Sequence, residues 1–85
     1  MDTSAVLWRC RRGIREMDLL LQQFVTNHFS GLSYKEQRIF LDLLDETDLD
    51  ILDWIMERKD PPSPDFKSLL NKIRTTNGPV RPESN

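Results

Sequence analysis

The residues whose types are best suited to binding or catalysis lie in one segment, from Trp8 to Asp18. This segment holds four arginines, one of the two tryptophans of the chain, and a glycine at a predicted helix junction. Arginine presents a planar fork of N–H donors that binds carboxylates and carbonyl oxygens with directional hydrogen bonds. Gly13 is either the kink between two helices or a place where a partner approaches the backbone closely. The segment therefore predicts recognition of a polar partner surface.

Two interpretations of the Arg12 and Glu16 pair are open, because the two residues are four positions apart. On a continuous helix they would lie on one face and form an ion pair worth only about 0.3–0.5 kcal/mol. Alternatively, an exposed guanidinium and carboxylate flank Gly13 as a flat platform and dock the polar backbone of another protein. The spacing alone does not decide between these two interpretations.

Metal binding and nucleophilic catalysis have little support in the sequence. One His and one Cys lie 18 residues apart, so no set of residues has the spacing of metal ligands. Cys10 has arginine neighbours, which lower a thiol pKa, but it shares an apolar stripe with Val6, Leu7 and Ile14 and lacks a base. We expect Cys10 and His28 to be packing residues. The sequence predicts no catalytic residue, no metal and no cofactor-binding residue.

The whole chain is short and mildly acidic. Its 85 residues, 38% hydrophobic and 31% charged, fit one globular domain, too short for a nucleotide-binding domain joined to a substrate domain. A formal net charge of −2 argues against a nucleic-acid binder, and the isolated glycines make no phosphate loop. A lone cysteine, with no secretory signal or membrane-spanning run, predicts a cytoplasmic protein with no membrane contact.

Charge is distributed unevenly along the chain. Residues 41–60 carry a net charge of −6, whereas residues 1–20 carry +1. Segments of opposite charge either orient a partner or pair with each other across the fold, and the sequence leaves both open. The crowded carboxylates of residues 41–60 fit a solvated helix face with capping roles better than an acid/base pair.

Apolar residues recur with helical spacing and no strand pattern is visible, so we predict an all-α fold, a compact bundle of about five short helices. Residues 1–78 form one helical domain and residues 79–85 a disordered tail. The predicted helices run from about Ser4 to Arg11, from about Ile14 to Phe29 with Gly31 as the stop, onward from the Ser33–Glu36 capping box, from Asp48 to Arg58 after the Thr47 cap, and from Pro64 to about Thr76 after the Ser63 cap. The predicted core contains Phe24, Phe40, Leu43, Trp54, Leu69 and Ile73.

The run Arg12-Gly13-x-x-Glu16-x-Asp18, preceded by Trp8 and Arg11, resembles the RGxxE signature of the SdhE-type FAD assembly factors. These small bacterial and mitochondrial proteins promote the covalent flavinylation of succinate dehydrogenase. The similarity extends over roughly residues 6–75. Its further features are the Leu43-Leu44 helix, the Asp48-x-Asp50 run, Trp54 and the break at Pro61.

This resemblance implies a chaperone that is not an enzyme. Such a factor binds the flavoprotein subunit of succinate dehydrogenase, and also the related fumarate reductase subunit, while the bond from a histidine to FAD forms within that subunit. By the resemblance, Arg12, Gly13 and Glu16 are docking residues. Arg11, Asp18 and Trp8 support them, with Trp8 packing the helix junction and Asp18 orienting an arginine or capping locally. We expect a monomer.

The same resemblance implies that Arg12→Ala and Glu16→Ala lose the client while stability changes by less than about 1 kcal/mol. The alternative function is a helical protein-interaction adaptor, or an antitoxin-like regulator, with another client. Less favoured are a helix-turn-helix DNA binder that uses the arginines near Gly13, and an enzyme with Cys10 as its nucleophile.

Overall fold

Five α-helices account for most of the residues that the computed structural model describes, which are 3–76. The helices pack around one core, and no strand occurs among the described residues, so the predicted all-α bundle is confirmed. The predicted disordered tail, residues 79–85, lies outside the described residues. The helices are α1 (Thr3–Arg9), α2 (Arg15–His28), α3 (Tyr34–Leu44), α4 (Asp48–Ile55) and α5 (Pro64–Thr76), with a 3₁₀ turn (Phe29–Gly31) after α2.

Three of the helices begin where the sequence predicts, each at a side-chain cap. The Ser33 hydroxyl accepts from the Glu36 amide at 3.1 Å, and the Glu36 carboxylate accepts from the Ser33 amide at 3.1 Å, which completes the capping box. Such bonds satisfy amides that have no partner within the first turn of a helix. Equivalent bonds begin α4 and α5, where Thr47 Oγ1 accepts from the Asp50 amide at 3.2 Å and Ser63 Oγ accepts from the Phe66 amide at 3.2 Å.

Helix α4 ends at Ile55, three residues before the predicted Arg58. The chain leaves the helix through Glu57, which has a left-handed backbone with φ of 60°. The Arg58 amide donates to the Asp53 carbonyl at 2.8 Å, and the Glu57 amide donates to the Trp54 carbonyl at 3.1 Å. This pair of bonds is the Schellman motif, in which glycine is usual at the left-handed position. The sequence signal for a stop was missed because Glu57 occupies that position.

The junction between α1 and α2 is a loop and not a kinked helix. Helix α1 ends at Arg9, two residues before the predicted end, and α2 begins at Arg15. Within the loop Gly13 has a φ of 97°, a conformation that residues with a Cβ rarely adopt. Gly13 is therefore the break itself. At the other end of α2, Gly31 closes the 3₁₀ turn without a left-handed φ, so it is not the glycine cap that the sequence suggests.

The core is centred on three phenylalanine rings. Phe24 and Phe29 lie against Phe40, with ring centroids 5.6 and 5.7 Å apart. The ring of His28 is 5.6 Å from that of Phe24, so its predicted packing role is confirmed. Each helix adds apolar side chains to this cluster. The six predicted core residues are all at most 5% exposed, namely Phe24, Phe40, Leu43, Trp54, Leu69 and Ile73.

Replacing Phe40 by alanine should lower the free energy of unfolding by about 3–5 kcal/mol, because it empties the space between two other rings. This is a large share of the stability of a small domain. Urea denaturation followed by helical circular dichroism measures the loss. Tyr34→Ala is the control, since Tyr34 is 67% exposed and its removal should cost less than about 0.5 kcal/mol. Equal midpoints for Phe40→Ala and the wild type would contradict the assigned core.

Candidate protein-docking site

Asp18 fixes the backbone of the loop between α1 and α2, residues 10–14, which we call the junction loop. Its carboxylate accepts from the Arg12 amide at 3.0 Å and from the Gly13 amide at 2.9 Å. Asp18 lies in the first turn of α2, where the helix dipole favours a negative charge, and bonds to a carboxylate are stronger than neutral ones. The bonds of Asp18 hold the loop backbone ahead of α2 and involve neither a helix cap, since the N-cap residue Ile14 makes no side-chain cap bond, nor an arginine side chain.

The side chain of Arg12 joins the junction loop to the end of α3 and the start of α4. Its Nη1 donates to the Leu44 carbonyl at 2.8 Å and to the Arg9 carbonyl at 3.1 Å, and its Nη2 donates to the Glu46 carbonyl at 2.8 Å. Its Nε donates to the Asp48 carboxylate. With these partners the side chain is only 15% exposed. We call this set of contacts the Arg12 brace.

Neither interpretation of the Arg12 and Glu16 spacing describes the structure. Helix α2 begins at Arg15, so Arg12 lies before the helix and forms no intrahelical pair with Glu16. The guanidinium faces carbonyls of its own chain and is not an exposed fork. The physical reason is the left-handed turn at Gly13, which separates the two residues and directs Arg12 toward α3 and α4. The expectation that Arg12→Ala leaves the free energy of unfolding nearly unchanged assumed an exposed side chain, which the structure contradicts.

Some charged residues of the basic segment 1–20 and the acidic segment 41–60 form ion pairs with each other within the fold. Arg9 pairs with Asp45 and Arg12 with Asp48, which joins the basic start of the chain to its acidic middle. Other carboxylates of the acidic segment have local partners. Asp50 accepts from Lys59 at 2.9 Å, a bond that lowers the pKa of the Asp50 carboxyl, and Asp53 pairs with Arg58 at 2.9 Å.

Trp8 lies on the surface, so the expectation that it packs the helix junction is wrong. Its side chain is 69% exposed, because Val6 and Cys10 supply the buried side of this segment. The Arg11 guanidinium lies 5.0 Å from the centre of the Trp8 ring, a cation–π contact. Together with Leu7 and Ser4, these two residues line a shallow recess of about 180 Å³. An exposed tryptophan beside an arginine is typical of protein-binding hot spots.

Gly13, Arg15 and Glu16 are also exposed, at the start of α2. Apart from its two chain neighbours, no residue has an atom within 4 Å of where a Cβ on Gly13 would lie, so the space above this glycine is open to a partner. Among the described residues, neither Arg15 nor Glu16 forms a salt bridge, in contrast to Arg9 and Arg12. These two charges are available to another molecule.

Leu19 extends this surface, and sequence analysis missed it. It lies one turn after Glu16 on α2 and is 49% exposed. The signal was present, because Leu19 falls outside the apolar stripe that predicts the buried face of α2. Arg15 was noted in the arginine-rich segment but not singled out. The residues that we treat together as the docking surface are Trp8, Arg11, Gly13, Arg15, Glu16 and Leu19.

Cys10 is fully buried beneath this surface. Burial raises the pKa of its thiol to about 12, against a smaller lowering by Arg12. The predicted packing role is confirmed, and a thiolate nucleophile has no support. Within residues 3–76 no group of three or more His, Cys, Asp or Glu could hold a metal ion. In the same part of the chain, no helix has the length and apolar character needed to cross a membrane.

Arg12→Ala should lower the free energy of unfolding by about 1.5–3 kcal/mol, since it leaves carbonyls and a carboxylate without their donor. Glu16→Ala should change it by less than about 0.5 kcal/mol, because Glu16 is exposed and makes no salt bridge among the described residues. Thermal and urea unfolding of the two variants measure the difference. Equal stabilities of both variants would show that the Arg12 brace contributes nothing to folding.

The thiol of Cys10 should resist alkylation in the native protein. Its ordinary pKa of 9.0 applies to the unfolded chain, whereas the folded value is about 12. Below about pH 9 the thiol is protonated in both states, so its ionisation does not change the free energy of unfolding. Between about pH 9 and 12 only the unfolded state loses the proton, so the free energy of unfolding falls as the pH rises. Iodoacetamide labelling at about pH 8, followed by mass spectrometry, should be slow until urea unfolds the chain. Native labelling at the unfolded rate would contradict the buried position.

The chain is similar to known proteins over nearly its whole length. A family model described as "Flavinator of succinate dehydrogenase" matches residues 4–77. The FAD assembly factor SdhE of Coxiella burnetii is 39% identical over 74 residues, which cover 87% of this chain and 90% of the relative. The protein of the same name from Haemophilus ducreyi is 36% identical over 76 residues, covering 89% of this chain and 93% of the relative. That from Pectobacterium atrosepticum is 34% identical over 82 residues, covering 93% of each. Since these matches span nearly the whole chain, including the docking surface and the Arg12 brace, the chain belongs to the family of SdhE-type FAD assembly factors.

Proposed function

We propose that this protein binds the flavoprotein subunit of succinate dehydrogenase and promotes the covalent attachment of FAD to it, without being an enzyme itself. The observation that carries the proposal is the docking surface. It combines an exposed tryptophan, an open glycine and charges that form no salt bridge among the described residues, within the segment that matches the family. The protein acts in the cytoplasm, as a monomer, and brings no cofactor of its own.

The chemistry of the docking surface defines what a client must offer. Arg11 and Arg15 fit carboxylates or carbonyl oxygens, and Glu16 fits a basic group or backbone amides. Gly13 lets the client backbone approach closely, since no side chain projects there. Trp8 and Leu19 supply exposed apolar contact area. The client patch is therefore mixed in charge and partly apolar.

The assembly factor accelerates flavinylation by position alone. The bond between a histidine and FAD forms inside the client, and it requires the two groups to be held close and aligned. A factor that binds this arrangement of the client more tightly than other arrangements raises its population. The required binding energy comes from the docking surface, so its loss should reduce flavinylation without unfolding the factor.

Flavin fluorescence of the denatured flavoprotein subunit tests this function, because only covalently bound FAD survives denaturation. In cells that lack this protein, fluorescence should be low and should return when the wild type is supplied. Trp8→Ala and Glu16→Ala should restore it several-fold less well. Asp65→Ala is the matched control, since Asp65 is an exposed carboxylate in the first turn of another helix and should behave as the wild type.

Unchanged fluorescence in the absence of the protein would overturn the proposal. In that case the helical adaptor or antitoxin-like regulator, acting on another client, would take its place. If both Trp8→Ala and Glu16→Ala restored fluorescence fully, the protein would still be an assembly factor, but the client would not bind through the docking surface. Immunoblots of each variant establish that equal amounts of folded factor are compared.

A further inference from the structure

We infer that Asp48 is a positioning residue for the docking surface, although it lies outside the RGxxE signature and on another helix. It acts through Arg12, whose brace ties the junction loop to the segment between α3 and α4. By the same inference Arg12 itself is a positioning residue and not a docking residue. The inference deepens the proposed function and rests on it for the identity of the client.

Two ion pairs, Arg9 with Asp45 and Arg12 with Asp48, join residues 9–12 to residues 45–48. Only the Arg12 guanidinium also bonds to carbonyls near its ion-pair partner. The pair of Arg9 and Asp45 has side chains 41% and 69% exposed, and within residues 3–76 its guanidinium makes no other hydrogen bond across the fold. The pair of Arg12 and Asp48 has side chains 15% and 41% exposed. An exposed pair contributes little, whereas a partly buried charge depends on its partners.

The guanidinium of Arg12 uses all three of its nitrogens in the fold. While Nε donates to Asp48, Nη1 and Nη2 donate to the carbonyls of Leu44 and Glu46 at 2.8 Å each. Leu44 is the last residue of α3, where helix carbonyls lack partners and the dipole favours a cation. Because the guanidinium is planar and rigid, the bond to Asp48 at Nε fixes the direction in which the other two nitrogens point.

Arg12, whose side chain forms the brace, immediately precedes Gly13 in the junction loop. The amides of Arg12 and Gly13 are both held by Asp18, so this part of the junction loop is fixed through its backbone by α2 and through the Arg12 side chain by α3 and α4. Glycine without such restraints populates many backbone conformations. When only a fraction of molecules holds the binding conformation, the apparent dissociation constant rises in inverse proportion to that fraction.

The test is the dissociation constant for the purified succinate dehydrogenase flavoprotein subunit, measured by titration calorimetry at a temperature where every variant is fully folded. Asp48→Ala should raise this constant about 3- to 10-fold. Arg12→Lys should raise it more than about 10-fold, because the single ammonium group of lysine cannot replace the three nitrogens of the planar guanidinium. Asp48→Asn keeps an acceptor oxygen for Nε and should retain most of the binding.

Two matched controls separate positioning from general charge effects. Asp45→Ala removes the exposed pair between the same segments, and Asp50→Ala removes another carboxylate from the first turn of α4. Both should bind the flavoprotein as the wild type does. Hydrogen exchange of the Gly13 amide, followed by NMR, should be faster in Asp48→Ala and Arg12→Lys but not in these controls.

Wild-type affinity in Asp48→Ala, or equal losses in the two controls, would overturn the inference. Weak binding by Arg12→Lys together with unchanged Gly13 exchange would also overturn it, since Arg12 would then contact the client itself. If the wild type does not bind the flavoprotein, the proposed function fails. The Gly13 exchange rates still decide in that case whether Asp48 holds the loop.

Discussion

Every helix of this small domain gives its apolar face to one shared core, because a chain of 85 residues cannot build a second one. The three phenylalanine rings at its centre come from α2, the 3₁₀ turn and α3, and the remaining helices pack around them. This demand leaves little room for an enclosed pocket. Few large apolar side chains stay exposed among the described residues, and Trp8 and Leu19 of the docking surface are two of them.

The exposed and the buried parts of the signature segment have different tasks. Cys10 faces the core, and Asp18 and Arg12 bind the backbone and the neighbouring helices. Trp8 and Glu16 face outward. A short motif of adjacent residues therefore mixes groups that shape the loop with groups that a partner can reach. Such a motif should be interpreted residue by residue, since its members need not share one role.

Much of the fold could be predicted because its signals are local. The capping box joins Ser33 to a residue three positions later, and the cap at Thr47 has the same spacing, so both are visible in the sequence. The end of α4 was less visible, because Glu57 holds a left-handed conformation that normally indicates glycine. Local patterns predict where helices begin, and unusual backbone conformations limit how well they predict where helices end.

The arrangement of the site was harder to predict because its contacts are distant in the chain. Arg12 bonds to Asp48, and no spacing rule connects residues 36 positions apart. The exposure of Trp8, in contrast, could have been predicted, because Trp8 lies off the apolar stripe of Val6 and Cys10 that forms the buried side of this segment. The sequence identified the segment that carries the signature, while tertiary contacts decided that the Arg12 side chain turns inward.

The Arg12 brace depends on partners that are distant in the chain. Helix caps close over three residues, whereas Arg12 meets Leu44, Glu46 and Asp48 across 32, 34 and 36 residues. Contacts between distant residues are more costly to form than local ones, because closing a longer loop costs more entropy. The brace therefore holds only while the end of α3 and the start of α4 lie against the junction loop, so a change that separates these elements also releases the loop that carries Gly13.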